Sequence, residues 1–223
     1  MLVLFGPGLA FIKTRKTGGT SVEIWLSEHL GPGDIATPIS PVDEELRAHT
    51  PAPCNHEQPP RGADPAAAPV VNHSTAREAA AFVGEAAWSE LTTFTVERDP
   101  WERMVSLYHW RTRNWDHPPP FDQFIRERPP EDLSNSHLYM DRRGGLLVDH
   151  VLDHADLLGG LAGLAAEVGL PAPDLPRAKS GHRPPGATPE RLFSPASRDY
   201  IAFACAREVE LLGYEPPVLD RSR

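Results

Sequence analysis

The stretch LAFIKTRKTGGTSVEIWLSEHL, residues 9–30, constrains the fold more than any other part of the chain. Its apolar opening, residues 9–14, reads as a short buried strand. Basic residues, two glycines and two hydroxyls follow. Thr20 or Ser21 then caps a predicted helix over 21–30, with Val22, Trp25, Leu26 and Leu30 on its inner face and Gly31 as its stop. Strand, glycine turn and helix in that order build a cradle for an anion. The amides of Thr17 to Ser21 fall at a helix N-terminus, where N–H groups and the helix dipole favour negative charge. Gly18 and Gly19 let the backbone turn sharply and approach a ligand. Thr20 and Ser21 add hydroxyl donors, and Lys13, Arg15 and Lys16 form a local positive cluster.

The order of residues narrows the ligand. A nucleotide-triphosphatase loop, GxxxxGK[ST], places its lysine after the glycines, and that order is absent. Here Lys16 precedes Gly18 and Gly19, on the strand side. It is expected near the bridging oxygen of a diphosphate-like group, where it neutralises charge growing on a leaving group.

Further along, STAREAAAFVGEAAW (74–88) reads as one helix, with Thr75 and Glu78 as a capping box and Ser74 as the alternative cap. LTTFTVER (91–98) reads as a second core strand. DPWERMVSLYHWRTR (99–113) is a helix with Asp99 as N-cap, Pro100 at the first position and Glu102 at the third. A third strand is expected within 146–157, a helix over 157–170, and a last helix over 194–214 capped by Ser194. Strands alternating with helices predict a single α/β domain over 1–223, a central parallel sheet flanked by helices. Residues 31–70, with nine prolines, are expected to be a long loop within it. In such a sheet ligands bind at the carboxyl ends of strands.

KTRKTGGTS resembles the 5′-phosphosulfate loop of sulfotransferases that use 3′-phosphoadenosine-5′-phosphosulfate (PAPS). Its wording is closer to the carbohydrate enzymes, such as the heparan sulfate 2-O group, than to the cytosolic steroid and phenol enzymes. VERDPWERMVSLY is similar to the 3′-phosphate motif of the same family, an arginine at a strand end and a serine eight residues later. The resemblance therefore implies that Arg15, Lys16, Thr17, Gly18, Gly19, Thr20 and Ser21 hold the phosphosulfate. It implies that Arg98 and Ser106 hold the 3′-phosphate. Arg98 can fork onto phosphate, and the alternative for it is a salt bridge to a carboxylate. Trp101 and Arg103 are read as packing and surface residues.

His73, in VVNHSTARE, immediately precedes the cap of a helix, where partial positive charge keeps an imidazole neutral and able to accept a proton. In carbohydrate sulfotransferases a histidine at this location serves as base, so the resemblance implies a catalytic pair of Lys16 and His73. The alternative is a packing histidine. KSGHR (179–183) stands where related enzymes close a basic loop over the nucleotide, which makes Lys179 and Arg183 candidates against a solvated loop. The adenine-stacking tryptophan of the steroid-type enzymes is replaced by Ser21.

The implied reaction is sulfuryl transfer from PAPS to a hydroxyl of a small metabolite or glycoside, leaving 3′-phosphoadenosine-5′-phosphate (PAP) and requiring no metal. His150 and His154 with neighbouring aspartates are a competing metal reading, but on a strand the two rings stand about 13 Å apart. A nucleotide-dependent phosphotransferase and a non-catalytic nucleotide-binding protein remain as alternatives. Trp110 and Trp115 either stack on the acceptor or pack. A formal net charge of −9 argues against a nucleic-acid partner. No run approaches the roughly 20 apolar residues of a membrane span. With no basic leader before the first strand and two cysteines, Cys54 and Cys205, read as reduced thiols, a cytoplasmic protein is expected. Oligomeric state is not legible.

Overall fold

The structure, a computed structural model, describes residues 1–176 and 183–220. In chain order the elements are β1 (Leu2–Leu4), β2 (Leu9–Ile12), α1 (Gly19–Ser27), β3 (Ile35–Ala36), α2 (Pro41–Glu44), a 3-10 turn (Glu45–Arg47), α3 (Ala76–Val83), α4 (Glu85–Trp88) and β4 (Thr92–Glu97). Then come α5 (Pro100–Thr112), α6 (Phe121–Arg126), α7 (Pro130–Leu133), α8 (Ser136–Tyr139), β5 (His150–Asp153), a 3-10 turn (His154–Asp156), α9 (Leu157–Glu167), α10 (Pro189–Leu192), α11 (Pro195–Ala204) and α12 (Ala206–Leu212). The chain has an α/β fold with a mixed five-stranded sheet flanked by helices. Its described residues form two compact units, one from residues 1–96 with 137–176, the other from 97–136 with 183–220.

The first unit carries the sheet, in the order β3-β1-β2-β4-β5. β2 and β4 are parallel, pairing Leu9 with Thr92 and Ile12 with Thr95. β1 is antiparallel to both β2 and β3, so the sheet is mixed: the expected parallel pairing holds for β2 and β4 but not for β1. The cause is the short connection: only Phe5 to Gly8 separate β1 from β2, and a parallel return needs a crossover of a dozen or more residues. Gly8 closes the turn with φ +70 and donates to Phe5 O at 3.3 Å.

Strand alternation sorts the core into two layers. Leu2, Leu4, Leu9 and Phe11 pack with Val22, Trp25 and Leu26 of α1 and with Leu161, Leu164 and Ala165 of α9. Val3, Ala10, Ile12 and Ile35 pack with Ala76, Ala79, Phe82 and Val83 of α3. The edge strand is clamped by Asp149, which accepts from Thr93 N at 2.8 Å and Thr93 Oγ1 at 2.7 Å.

The helix expected over 74–88 is two helices, because Gly84 adopts φ +93 and ψ 134, outside helical space. Its Thr75–Glu78 capping box forms as read. The proline-rich stretch 31–70 is not a plain loop: it holds β3, α2 and a 3-10 turn. Buried Arg47 orders it, donating to Glu44 at 2.6 Å and to Thr37 O at 2.7 Å.

The second unit is helical. Trp101, Met104 and Val105 of α5, Phe121, Phe124 and Ile125 of α6, and Phe193, Ile201 and Cys205 form its core. Asp99 caps α5 by accepting from Glu102 N at 2.8 Å, as its punctuation predicts. Trp101 is core, but Arg103 is buried rather than at the surface. It donates to Asp132 O at 3.2 Å and to Leu133 O, and pairs with the buried Glu97. The last expected helix divides at Cys205 into α11 and α12. No described helix is long and apolar enough to cross a membrane.

Candidate functional site

In the first unit the cradle folds from β2 into α1 as a backbone-built turn. Gly18 is the N-cap of α1 with φ +79, and Lys16 also takes a left-handed conformation, φ +64. A lysine there costs about 1–2 kcal/mol, which the surrounding contacts must offset. Thr14 and Thr17 supply them: their hydroxyls meet at 2.8 Å, and Thr14 Oγ1 donates to Val96 O on β4. Gly19 is required by packing, since a Cβ there would lie 2.8 Å from Lys13 Cγ. At Gly18 a Cβ would lie 3.3 Å from Leu157 Cδ2 and 3.6 Å from His154 Nε2.

The helical ladder begins early. Ser21 N donates to Gly18 O at 2.9 Å, so this amide, expected to point at a ligand, serves the helix instead. Thr17, Thr20 and Ser21 are buried, and Arg15 and Lys16 are half-buried.

Lys13 does not join the positive cluster of the cradle. It is buried and paired with Glu23, which projects from α1 among the core residues and also accepts from the Met1 amine. Burial pushes the Glu23 carboxyl up, but the Met1 amine and Lys13 overcome it and hold the group below its ordinary value.

His73 is brought to the cradle across 60 positions of sequence. Its Nδ1 lies 3.0 Å from Lys13 O. A ring nitrogen bonds a carbonyl only by donating, so the neutral ring carries its proton on Nδ1 and keeps an accepting lone pair on Nε2. Burial lowers the His73 pKa to about 4; the hydrogen bond to Lys13 O resists this, while the charges of Lys13 and Arg15 add to it. The ring is thus neutral for the reason of burial foremost.

Two further histidines stand beside the cradle: His137, which no local pattern singles out, and His154, read from sequence only as a metal-ligand candidate. His137 Nε2 is 3.3 Å from Arg15 Nη1, and His154 flanks Gly18. His150, its partner in the metal reading, lies 3.9 Å from Glu167. Among the described residues there is no group of three or more His, Cys, Asp or Glu that could hold a metal ion.

The second unit holds the other candidates. Arg98 Nη2 donates to Glu102 Oε2 at 2.9 Å, the salt bridge that was the alternative for this residue. Arg183 forks onto the same carboxylate, Nη2 to Oε1 at 3.1 Å and Nη1 to Oε2. Its Nε donates to Ala187 O at 2.6 Å. Ser106 is one turn beyond Glu102 on α5, on the same helix face and half-buried. Burial lowers the Arg98 pKa, with Glu102 opposing it and the nearby Arg183 charge adding to it. Arg98 and Arg183, 85 positions apart, therefore share one counter-charge. Lys179 lies outside the described residues. Trp110 is half-buried with the Arg113 guanidinium 3.8 Å above its ring, and Trp115 is exposed.

No known protein family matches the chain, and no curated protein matches it in sequence. Among solved structures the chain is similar to the crystal structure of a sulfotransferase from Alicyclobacillus acidocaldarius, with a TM-score of 0.42 and 14% identity over 92% of this chain and 95% of that one.

Proposed function

We propose that the chain is a PAPS-dependent sulfotransferase acting on the hydroxyl of a small metabolite or glycoside. The observation that carries the reading is His73, a neutral imidazole tied by Nδ1 to the first residues of a glycine-built anion cradle. The wording of the cradle aligns the reading with the carbohydrate sulfotransferases, the heparan sulfate 2-O group among them.

The cradle suits a phosphosulfate because its turn needs glycines, Gly18 for its left-handed φ of +79 and Gly19 because a Cβ would lie 2.8 Å from Lys13 Cγ, and such a turn lets backbone amides approach an anion. Arg15, Lys16, Thr17, Thr20 and Ser21 surround those glycines in sequence and supply cationic and hydroxyl donors. Arg98, Ser106 and Arg183 suit a 3′-phosphate, and Lys179 is proposed with them. In the reaction the acceptor oxygen attacks sulfur as its proton passes to His73 Nε2. The sulfur–oxygen bond to the 5′-phosphate breaks, and PAP departs with the electron pair. Lys16 neutralises the charge growing on the oxygen it leaves with. The anionic donor raises the basicity of His73 on arrival, since a nearby negative charge favours imidazolium.

This reading predicts that 3′,5′-ADP raises the melting temperature well above any shift given by 5′-AMP or by ATP with magnesium. Transfer of labelled sulfate from PAPS to a panel of hydroxylated acceptors then tests the chemistry. A shift with ATP and magnesium alone favours a phosphotransferase. Binding of 3′,5′-ADP without transfer to any acceptor favours a non-catalytic nucleotide-binding protein. A cytoplasmic location is proposed with it, because Cys54 and Cys205 are free thiols.

A further inference from the structure

We infer that Glu102 is a positioning residue that holds Arg98 and Arg183 convergent for a phosphate group, an inference that rests on the proposed 3′-phosphate role of Arg98. Glu102 stands on α5 between the two other residues of that proposed grip, four positions after Arg98 and four before Ser106. Its carboxylate receives Arg98 at 2.9 Å on Oε2, and both ends of the Arg183 fork. All three side chains are partly shielded, with relative exposures of 19% for Arg98, 33% for Glu102 and 30% for Arg183.

Two guanidiniums do not gather unaided. Each is a permanent cation, and the Arg183 charge bears on Arg98 as a repulsion. One carboxylate bridging them turns a repelling pair into a cluster of net charge +1. It also fixes two long side chains that would otherwise lose rotamer freedom only when a ligand arrives. Each guanidinium has five donor hydrogens, so the contacts to Glu102 and Ala187 leave donor capacity for a phosphate. Glu102 itself is held in place, because its backbone N–H is bonded by the Asp99 cap.

The test is calorimetric titration of the full chain with 3′,5′-ADP and with 5′-AMP. In Glu102→Gln the affinity for 3′,5′-ADP should fall about 10- to 100-fold, as expected for losing a charge-assisted pair, while that for 5′-AMP stays within about twofold. A general structural role would weaken both. Glu102→Asp keeps the charge but is one methylene too short to span both arginines, and should lose about 3- to 10-fold for 3′,5′-ADP only. It serves if the glutamine variant does not fold. Unchanged binding in these variants overturns the inference, and tighter binding overturns it by showing that the carboxylate competes with phosphate. If wild-type protein does not prefer 3′,5′-ADP to 5′-AMP, the proposed function falls and takes this inference with it. A wild-type preference that survives in the variants removes the positioning role alone.

Discussion

The two units build their proposed anion sites by opposite means. In the first, the cradle is made of backbone: Gly18 and Lys16 in left-handed conformations, Gly19 pressed against Lys13, and threonine hydroxyls tying the turn to β4. Lys13, next to it in sequence, is buried and paired with Glu23 inside the core. In the second, the positive site is made of side chains. Arg98 and Arg183 stand part-exposed at α5, held by a single carboxylate. A backbone-built site should be sensitive to added atoms and tolerant of charge changes around it. A side-chain-built site should behave in the reverse way.

The largest effect is expected at His73, the histidine whose Nδ1 is tied to Lys13 O at the start of the cradle. His73→Ala should lower turnover by about 10²- to 10⁴-fold, the usual yield of general-base help, and leave 3′,5′-ADP binding within a few-fold. Steady-state rates with PAPS and a responsive acceptor, beside calorimetry, separate the two. Near-normal turnover would leave His73 as a packing histidine tied to Lys13 O and would strip the cradle of its base.

How far this was readable beforehand depends on the distance over which each feature acts. The Asp99–Pro100 start of α5 is local and stands where its residue types put it; the strand–turn–helix of residues 9–27 also forms, but α1 starts at Gly19 behind Gly18, with no side-chain cap, rather than behind Thr20 or Ser21. The mixed sheet was missed because β1 has only three residues, too few for alternation to show, and its pairing is decided by a turn of four. Lys13 and Arg103 look solvent-bound in sequence. Their burial depends on Glu23 and Glu97, and those matches form only on folding. His137 and His154 reach the cradle from more than a hundred positions away, beyond any local pattern.

A second contrast asks about added atoms. Gly19→Ala places a Cβ 2.8 Å from Lys13 Cγ, and Lys13 cannot yield easily while its ammonium is paired with Glu23. Overpacking of this kind costs about 1–3 kcal/mol. Thermal or urea unfolding should show that loss, with 3′,5′-ADP binding weakened as well. Arg98→Ala adds no atoms. It should weaken 3′,5′-ADP binding with little change in the unfolding midpoint, since part-exposed ion pairs contribute about 0–1 kcal/mol. Equal midpoints for the two variants would dissolve the distinction between backbone and side-chain construction.

The smallest expected effect in the intact protein concerns pH, because the two units carry buried groups of opposite sign. His73 has its pKa lowered to about 4 by burial foremost. Its neutral form is favoured in the native state, so its contribution is present above 6.5 and is lost as pH falls toward 4. Glu97 has its pKa raised to about 7, again by burial, with the Arg103 charge opposing. Its contribution is full below 4.5 and is lost as pH rises through 7. Between 4.5 and 6.5 each group changes stability by at most about 1.4 kcal/mol per pH unit, in opposite directions. Hydrogen exchange reads the units separately over that range: slow amides of the β2–β4 pair should gain protection as pH rises, and those of α5 should lose it, once both are corrected for intrinsic exchange. His73→Gln should flatten the first trend and Glu97→Gln the second. If both sets of amides respond alike to pH and to either substitution, the buried charges do not act within their own units, and the contrast between the two constructions has no energetic counterpart.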